Sequence, residues 1–208
     1  MRPMRRRFGL AILAAGLALV SVVGGGAYVV HHNTRPETRL RRGREALKTG
    51  DLAAARQYAE RLEASGGDEA RLLNAELALQ SHDPAAALKH LRRIDEGSPH
   101  YLDGAFLTAQ CHMALGWPRD AESLLTQVLS QRPGDGEAHR WAGILYHDQG
   151  DFIRAMEHLE RTAELLPGDG RALRLVGLIL MDMGKHREAV PAYSESLRRD
   201  PHPRDEAK

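Results

Sequence analysis

The sequence predicts an all-α protein built from repeated pairs of helices. Small and helix-breaking residues recur every 34 residues along most of the chain. They are Pro99, Pro133, Pro167 and Pro201, Ala87, Ala121, Ala155 and Ala189, and Gly116, Gly150 and Gly184. Self-similarity at a fixed interval of about 20–50 residues is the signature of a repeat solenoid. The composition agrees, because aromatic residues make up only 5% of the chain while Ala, Leu and Arg, which favour helices, are abundant.

The charges are distributed unevenly over the 208 residues, although the formal net charge is only +1. Residues 1–48 hold ten of the 29 Lys and Arg and two of the 28 Asp and Glu, so the remainder has a net charge of −7. A basic flank beside an apolar run indicates a membrane surface, whereas an acidic repeat body argues against nucleic-acid binding. The single cysteine, Cys111, excludes an intrachain disulfide framework.

The N-terminal region predicts a membrane anchor. A basic flank, 1–7, precedes the segment 8–30, whose 23 residues carry no formal charge. About 20 apolar residues suffice to cross a bilayer as a helix, so we predict an uncleaved transmembrane signal-anchor followed by a linker, 31–36. A cleaved signal peptide is the alternative, since Gly25, Gly26 and Ala27 form a weak cleavage site.

The orientation of this predicted single-pass membrane protein follows less directly. Four arginines precede the apolar segment and six basic residues follow it, so the distribution of positive charge does not decide the orientation. The short N-terminal tail favours a cytoplasmic N-terminus. The repeats are then expected on the extracytoplasmic, periplasmic side, and the cytoplasmic orientation stays open.

The helical pairs begin directly after this linker. Residues 37–67 predict a divergent first repeat, with helices near 37–49 and 52–64 and a turn at Gly50. Four contiguous copies follow at 68–101, 102–135, 136–169 and 170–203, and 204–208 form a tail. An atypical first copy is expected, because terminal repeats cap the stack.

The copy at 136–169 shows the local logic most clearly. A first helix at 137–149 ends at Gly150, a residue that accepts the left-handed backbone common at helix C-termini. Asp151 is placed to cap a second helix, and Pro167 ends that helix because proline has no backbone N–H. Gly143 and Ala155 are small, which predicts that the two helices cross at short range.

This skeleton of a small residue, a turn glycine, an alanine and a closing proline resembles the tetratricopeptide repeat (TPR). The resemblance implies a right-handed superhelical solenoid of stacked antiparallel helix pairs. It also implies a non-catalytic scaffold that holds a peptide or helix of a partner protein in its concave groove. In this family the first helix of each pair builds most of the concave wall. Placed on this sequence, the groove residues are Leu72, Glu76, Phe106, Gln110, Met113, Arg140, Ile144, His147, Arg171, Arg174, Leu178 and Met181.

Two interpretations of these groove residues stay open. The apolar members form a track for a partner, or several of them simply pack between helices. The arginines Arg140, Arg171 and Arg174 gather at one end, which suggests the hypothesis that this end accepts an acidic peptide.

Motifs for chemistry are missing from the sequence. It has no His-Glu-x-x-His, no Gly-x-Ser-x-Gly and no phosphate-binding glycine loop between a strand and a helix, and its 11 histidines lack ligand spacing. We therefore predict no catalytic residue, no cofactor, no metal site and no enzyme activity. The alternatives are an accessory subunit of an envelope enzyme or biogenesis complex, of the cytochrome-maturation or pilus-assembly type, or a fragment of a larger TPR protein. Self-association through the C-terminal repeat is also expected, since no solvating helix is evident after Pro203.

Overall fold

The computed structural model describes residues 35–199, which contain ten α-helices and no strand. The helices are α1 (Pro36–Lys48), α2 (Leu52–Glu63), α3 (Asp68–Gln80), α4 (Pro84–Leu91), α5 (Tyr101–Ala114), α6 (Pro118–Gln131), α7 (Gly136–Asp148), α8 (Phe152–Leu165), α9 (Arg171–Asp182) and α10 (His186–Arg199). The all-α prediction is confirmed, and the predicted limits of the individual repeats stay predictions.

The predicted single-pass membrane location is corrected by this structure. Within residues 35–199 no helix combines the length and the apolar character needed to cross a membrane. The basic flank 1–7, the apolar segment 8–30 and the tail 204–208 lie outside the described residues.

The chain divides into two compact units between Leu77 and Ala78, within α3. In the first unit, Gly50 adopts φ 79° and lets the chain turn from α1 into α2. The carboxylate of Asp51 then accepts a hydrogen bond from the Ala54 amide at 2.9 Å and caps α2. These helices begin and end within one residue of the predicted limits.

Polar side chains replace apolar ones at two positions of α3 in the first unit. Asn74 donates a hydrogen bond to the Glu63 carboxylate of α2 at 2.9 Å, and Arg71 pairs with Asp68. Gly43 of α1 lies directly against the side chain of Leu73, so that a Cβ atom there would overlap it. Polar partners therefore satisfy the two polar side chains of α3 in this part of the first unit.

The second unit is a succession of packed helix pairs. The paired helices α5 and α6, α7 and α8, and α9 and α10 contact one another, and α6 and α8 pack against the first helix of the following pair. The first helices also touch directly, α5 with α7 and α7 with α9. Fully buried residues such as Ala121, Leu145, Ala155, Leu159 and Ile179 form one core cluster through these layers. The first helices α5, α7 and α9 therefore share one continuous surface.

The helix α4 is shorter than the second helices of the later pairs. It has 8 residues, whereas α6, α8 and α10 have 14 each. The residues that follow, Asp95, Gly97, Ser98 and Pro99, favour turns for separate reasons of side-chain hydrogen bonding and backbone freedom. The Ser98 amide donates to the Asp95 carbonyl at 2.9 Å within such a turn. The 34-residue interval gave no indication that α4 would end early.

His82 occupies a turn position that glycine holds in the other pairs, and its φ of 57° is the positive backbone angle that Gly116, Gly150 and Gly184 also adopt. A left-handed conformation costs a non-glycine residue roughly 1–2 kcal/mol. We therefore expect His82→Gly to raise the free energy of unfolding by about 1 kcal/mol, measured by urea denaturation. His82→Ala is the matched control and is expected to give no gain; equal stabilisation by both variants would contradict this explanation.

Candidate functional site

Ten of the twelve predicted groove residues lie on α5, α7 and α9 of the second unit. We call this surface the first-helix face, and its residues are Phe106, Gln110, Met113, Arg140, Ile144, His147, Arg171, Arg174, Leu178 and Met181. The other two residues belong to the first unit. Leu72 is 0% exposed, and the Glu76 carboxylate is engaged by Arg44 at 2.7 Å. Leu72 is thus a packing residue, as the second interpretation of the groove set anticipated.

The apolar part of the first-helix face is most accessible on α9. Leu178 and Met181 are 39% and 42% exposed, and Ile144 on the adjacent α7 is half-buried. Phe106 and Met113 instead pack against the buried core cluster of the second unit. The exposed apolar surface of this face is therefore concentrated on α9.

The charged part of the face is organised by Glu137. This carboxylate binds Arg140 on its own helix at 2.5 Å and Arg171 on α9 at 2.6 Å. Arg171 also binds Asp169, just before α9 begins. Glu137 and Arg171 are 34 residues apart, so opposite charges at equal positions of neighbouring copies were a signal present in the sequence.

The pKa values of Asp169 and Arg171 are shifted in the directions that this pairing requires. Partial burial raises the pKa of Asp169, but hydrogen bonds from Arg171 outweigh it and hold the pKa below its usual range. The same hydrogen bonds raise the pKa of Arg171. Arg140 also lies over the ring of Trp141, 5.5 Å from its centroid. Because Glu137 pairs with Arg140 and Arg171, and Asp169 pairs with Arg171, this end of the face is not an open anion site.

His147 links α7 to α9 on the same face. Its Nε2 lies 2.8 Å from the Asp182 carboxylate, and its Nδ1 lies 3.2 Å from Asp148. Partial burial lowers the pKa of His147, but the hydrogen bonds and charges of Asp182 and Asp148 prevail, so the net pKa is raised. The protonated imidazolium therefore strengthens the contact between the two first helices.

A pair of histidines joins α7 to α8 away from this face. The Nδ1 atoms of His139 and His158 are 3.0 Å apart, and His139 Nε2 is 3.2 Å from the Pro133 carbonyl oxygen. Since a carbonyl only accepts, His139 Nε2 carries the proton, and His158 Nδ1 donates to His139 Nδ1. Burial, and then the charges of His139 and Arg154, lower the pKa of His158.

Because the pKa of His158 is lowered, the folded protein is expected to become less stable as the pH decreases. The unfolded chain takes up the proton near the ordinary histidine pKa of about 6.5, before the folded chain does, so acid favours unfolding. We expect the stability of the wild type relative to His158→Phe to decrease as the pH falls from about 8 to about 5. Urea denaturation at several pH values measures this difference.

His147→Gln provides the matched control with the opposite sign. The raised pKa of His147 stabilises the wild type fully below about pH 6.5 and less as the pH rises through the folded-state pKa. The loss of stability of His147→Gln relative to the wild type should therefore be largest at low pH. A difference between the wild type and His158→Phe that does not change with pH would contradict the assignment of the histidine pair.

The reactive groups in the described range are few. Burial raises the pKa of the Cys111 thiol to about 11, so this cysteine is protonated at neutral pH. Within residues 35–199 no group of three or more His, Cys, Asp or Glu side chains is arranged to hold a metal ion.

The packing of α5 to α10 and their shared first-helix surface define an α-helical repeat protein. Models described as Tetratricopeptide repeat match residues 40–101, 78–139, 116–179 and 171–203. These matches together span most of the sequence, and the chain belongs to the tetratricopeptide repeat family. Proteins of this family are generally non-catalytic scaffolds that bind other proteins, and protein–protein interaction is the class of function that this fold indicates.

Solved structures show the same fold at low sequence identity. A thermophilic TPR protein of Thermus thermophilus, TTC0263, is 22% identical with a TM-score of 0.71, and the match covers 82% of this chain and 94% of that one. Two MamA crystal structures have TM-scores of 0.56 and 0.55 at 21% and 18% identity, and cover 76% and 85% of this chain and 94% and 97% of theirs. A search of curated proteins returned no match.

Proposed function

We propose that this protein is a scaffold that holds an apolar or amphipathic segment of another protein against the first-helix face of the second unit. One observation carries the proposal: Leu178 and Met181 are exposed on α9, and Ile144 lies on the helix packed beside it. Exposed apolar side chains that share one surface mark interaction sites, and methionine adapts to varied partners.

The ion pairs on the same face support an apolar partner over an anionic one. Glu137 engages both Arg140 and Arg171, so an acidic peptide would have to replace interactions that already exist. Such exchange gains little, since each new ion pair is made at the cost of another. The arginine region then serves as a polar rim, and the apolar surface supplies the binding free energy.

Site-specific photo-crosslinking tests this proposal. A photoreactive amino acid replaces Met181 in one variant and Ile153 in the other. Ile153 is the matched control, because it is 74% exposed and lies on α8, outside the first-helix face. We expect discrete protein adducts from position 181 that are absent from position 153. Identical adducts at the two positions would remove the first-helix face as the binding surface.

The self-association predicted through the C-terminal repeat stays a prediction. Val190 and Leu197 of α10 are exposed apolar side chains seven residues apart. Sedimentation at several concentrations of the wild type and of Leu197→Asp measures whether copies of the chain associate through them.

A further inference from the structure

A pocket of about 270 Å³ lies between α4, α5 and α6 of the second unit. Its apolar walls are Leu88 of α4, Ile94 beyond the end of that helix, and Leu124 of α6. Arg92, which is exposed, contributes to the lining. An apolar pocket with a few polar groups is the common form of a ligand site.

The early end of α4 is one reason for this pocket. The helix stops at Leu91 after 8 residues, so the last turns that the longer second helices possess are missing here. The chain continues instead through the turns at Ser98 and Pro99. Part of the volume beside α5 that a longer α4 would fill is therefore left open.

Two positions of α5 with smaller side chains than in the later copies are the other reason. Ala105 stands where the later copies, at 34-residue intervals, carry His139 and Leu173. His112 likewise stands where they carry Tyr146 and Leu180. The later copies therefore have larger side chains at these two of the lining positions.

The pocket is separate from the first-helix face. The lining residues Thr108 and His112 are each two positions after the face residues Phe106 and Gln110, which places them about 200° away around α5. A ligand of the pocket thus contacts the opposite side of α5 from a partner on the first-helix face.

Aromatic and polar groups around His112 indicate what the pocket accepts. His112 is a lining residue, and Trp117 contacts its ring edge to face at a centroid distance of 5.4 Å. The Nδ1 atom of His112 is buried without a hydrogen-bond partner. The Thr108 hydroxyl donates to the Gly104 carbonyl at 2.8 Å, which leaves its oxygen able to accept a hydrogen bond.

Trp117, which contacts His112, departs from the capping pattern. It is 47% exposed and stands at the N-cap of α6, without a side-chain capping hydrogen bond. The equivalent residues Asp83 and Asp151 cap α4 and α8 through their carboxylates. The chain thus forgoes a cap of about 1 kcal/mol in free energy, and an exposed indole lies beside the pocket.

We propose that this pocket is a second binding site, which accepts the aromatic side chain of a protein segment, with an indole as the preferred ring. The volume fits, because a cavity of about 150 Å³ lined by apolar side chains already binds benzene. Aromatic rings favour the edge-to-face contact that His112 offers, and an indole N–H can donate to the Thr108 oxygen one turn away on α5.

Titration of the full chain with N-acetyl-L-tryptophanamide and with indole, followed by methyl NMR, tests the site. We expect saturable shifts of the Leu88, Thr108 and Leu124 methyl groups, with a dissociation constant of about 1 mM or tighter, and no shift at Met181. The tryptophanamide is expected to bind at least as tightly as indole. Binding of indole alone would overturn the protein segment as the source of the ring.

Ala105→Leu is the matched filling variant, because the copy at 170–203 carries Leu173 at the equivalent position. It is expected to weaken N-acetyl-L-tryptophanamide binding at least tenfold without lowering the melting temperature. If Ala105→Leu fails to fold, Thr108→Leu fills the same volume from the next turn of α5 and is expected to have the same effect on binding. The absence of saturable shifts, or unchanged binding by a folded filling variant, would overturn the proposal.

Discussion

Gly143→Leu is expected to lower the free energy of unfolding by about 2–3 kcal/mol, the upper part of the usual range for overpacking a core. A Cβ atom at this position would lie 2.7 Å from Leu159 Cγ and 3.4 Å from the Ala155 carbonyl oxygen. Leu159 is fully buried and cannot move aside into solvent. The contact between α7 and α8 therefore opens. For a chain of this size the melting temperature should fall by roughly 4–12 °C.

Gly134→Leu is the control for this substitution. No heavy atom lies within 4 Å of the position that a Cβ atom would take on Gly134, and its backbone angle is not in the left-handed region. The same chemical change should therefore alter the free energy of unfolding by at most about 0.5 kcal/mol. Similar losses in the two variants would show that the close approach of α7 and α8 is not what requires glycine at position 143.

The double variant Leu178→Asp/Met181→Asp is expected to bind the segment crosslinked from position 181 at least about 30-fold more weakly, the effect of a hot-spot loss of 2 kcal/mol. Both side chains are exposed in the free protein, so the substitutions leave the core intact. In a complex, two carboxylates would lie against an apolar partner surface and lose their hydration without compensation. Isothermal titration calorimetry with the segment measures this effect.

Ile153→Asp is the matched control for the double variant. It places one carboxylate, half the charge that the double variant adds, at a more exposed apolar position of α8, outside the first-helix face. Its affinity should equal that of the wild type, and its circular dichroism should match that of the double variant. If Ile153→Asp weakens binding as strongly as the double variant, the effect comes from net charge and not from the face.

Much of the fold could be predicted because the 34-residue interval reflects packing constraints that act at each copy. Gly143 and Ala155 must be small where α7 and α8 meet, and Gly150 must accept a positive φ. Asp151 precedes α8 and caps it, because its carboxylate accepts a hydrogen bond from the Arg154 amide at 3.1 Å. Each of these requirements is local, so the residue type alone indicates the conformation.

The candidate site was less predictable because an interval assigns a helix face but not the contacts on that face. Leu72 and Leu178 were both assigned to the groove, yet the first is buried and the second is exposed. The arginines suggested an anion site when only the first helices were considered. One of the carboxylates that pair with them belongs to Asp169, a loop residue outside the first helices. Such pairing depends on how neighbouring copies pack. The positions of residues within one copy carry no information about that packing.

The most direct test of the central claim is a methyl NMR titration of the isoleucine- and methionine-labelled protein with the crosslinked segment. Ile144 and Met181 report on the first-helix face, and Ile153 reports on the outer surface of α8 in the same sample. We expect saturable shifts of Ile144 and Met181 while Ile153 stays unchanged. Shifts at Ile153 with unchanged Ile144 and Met181 would contradict binding on the first-helix face.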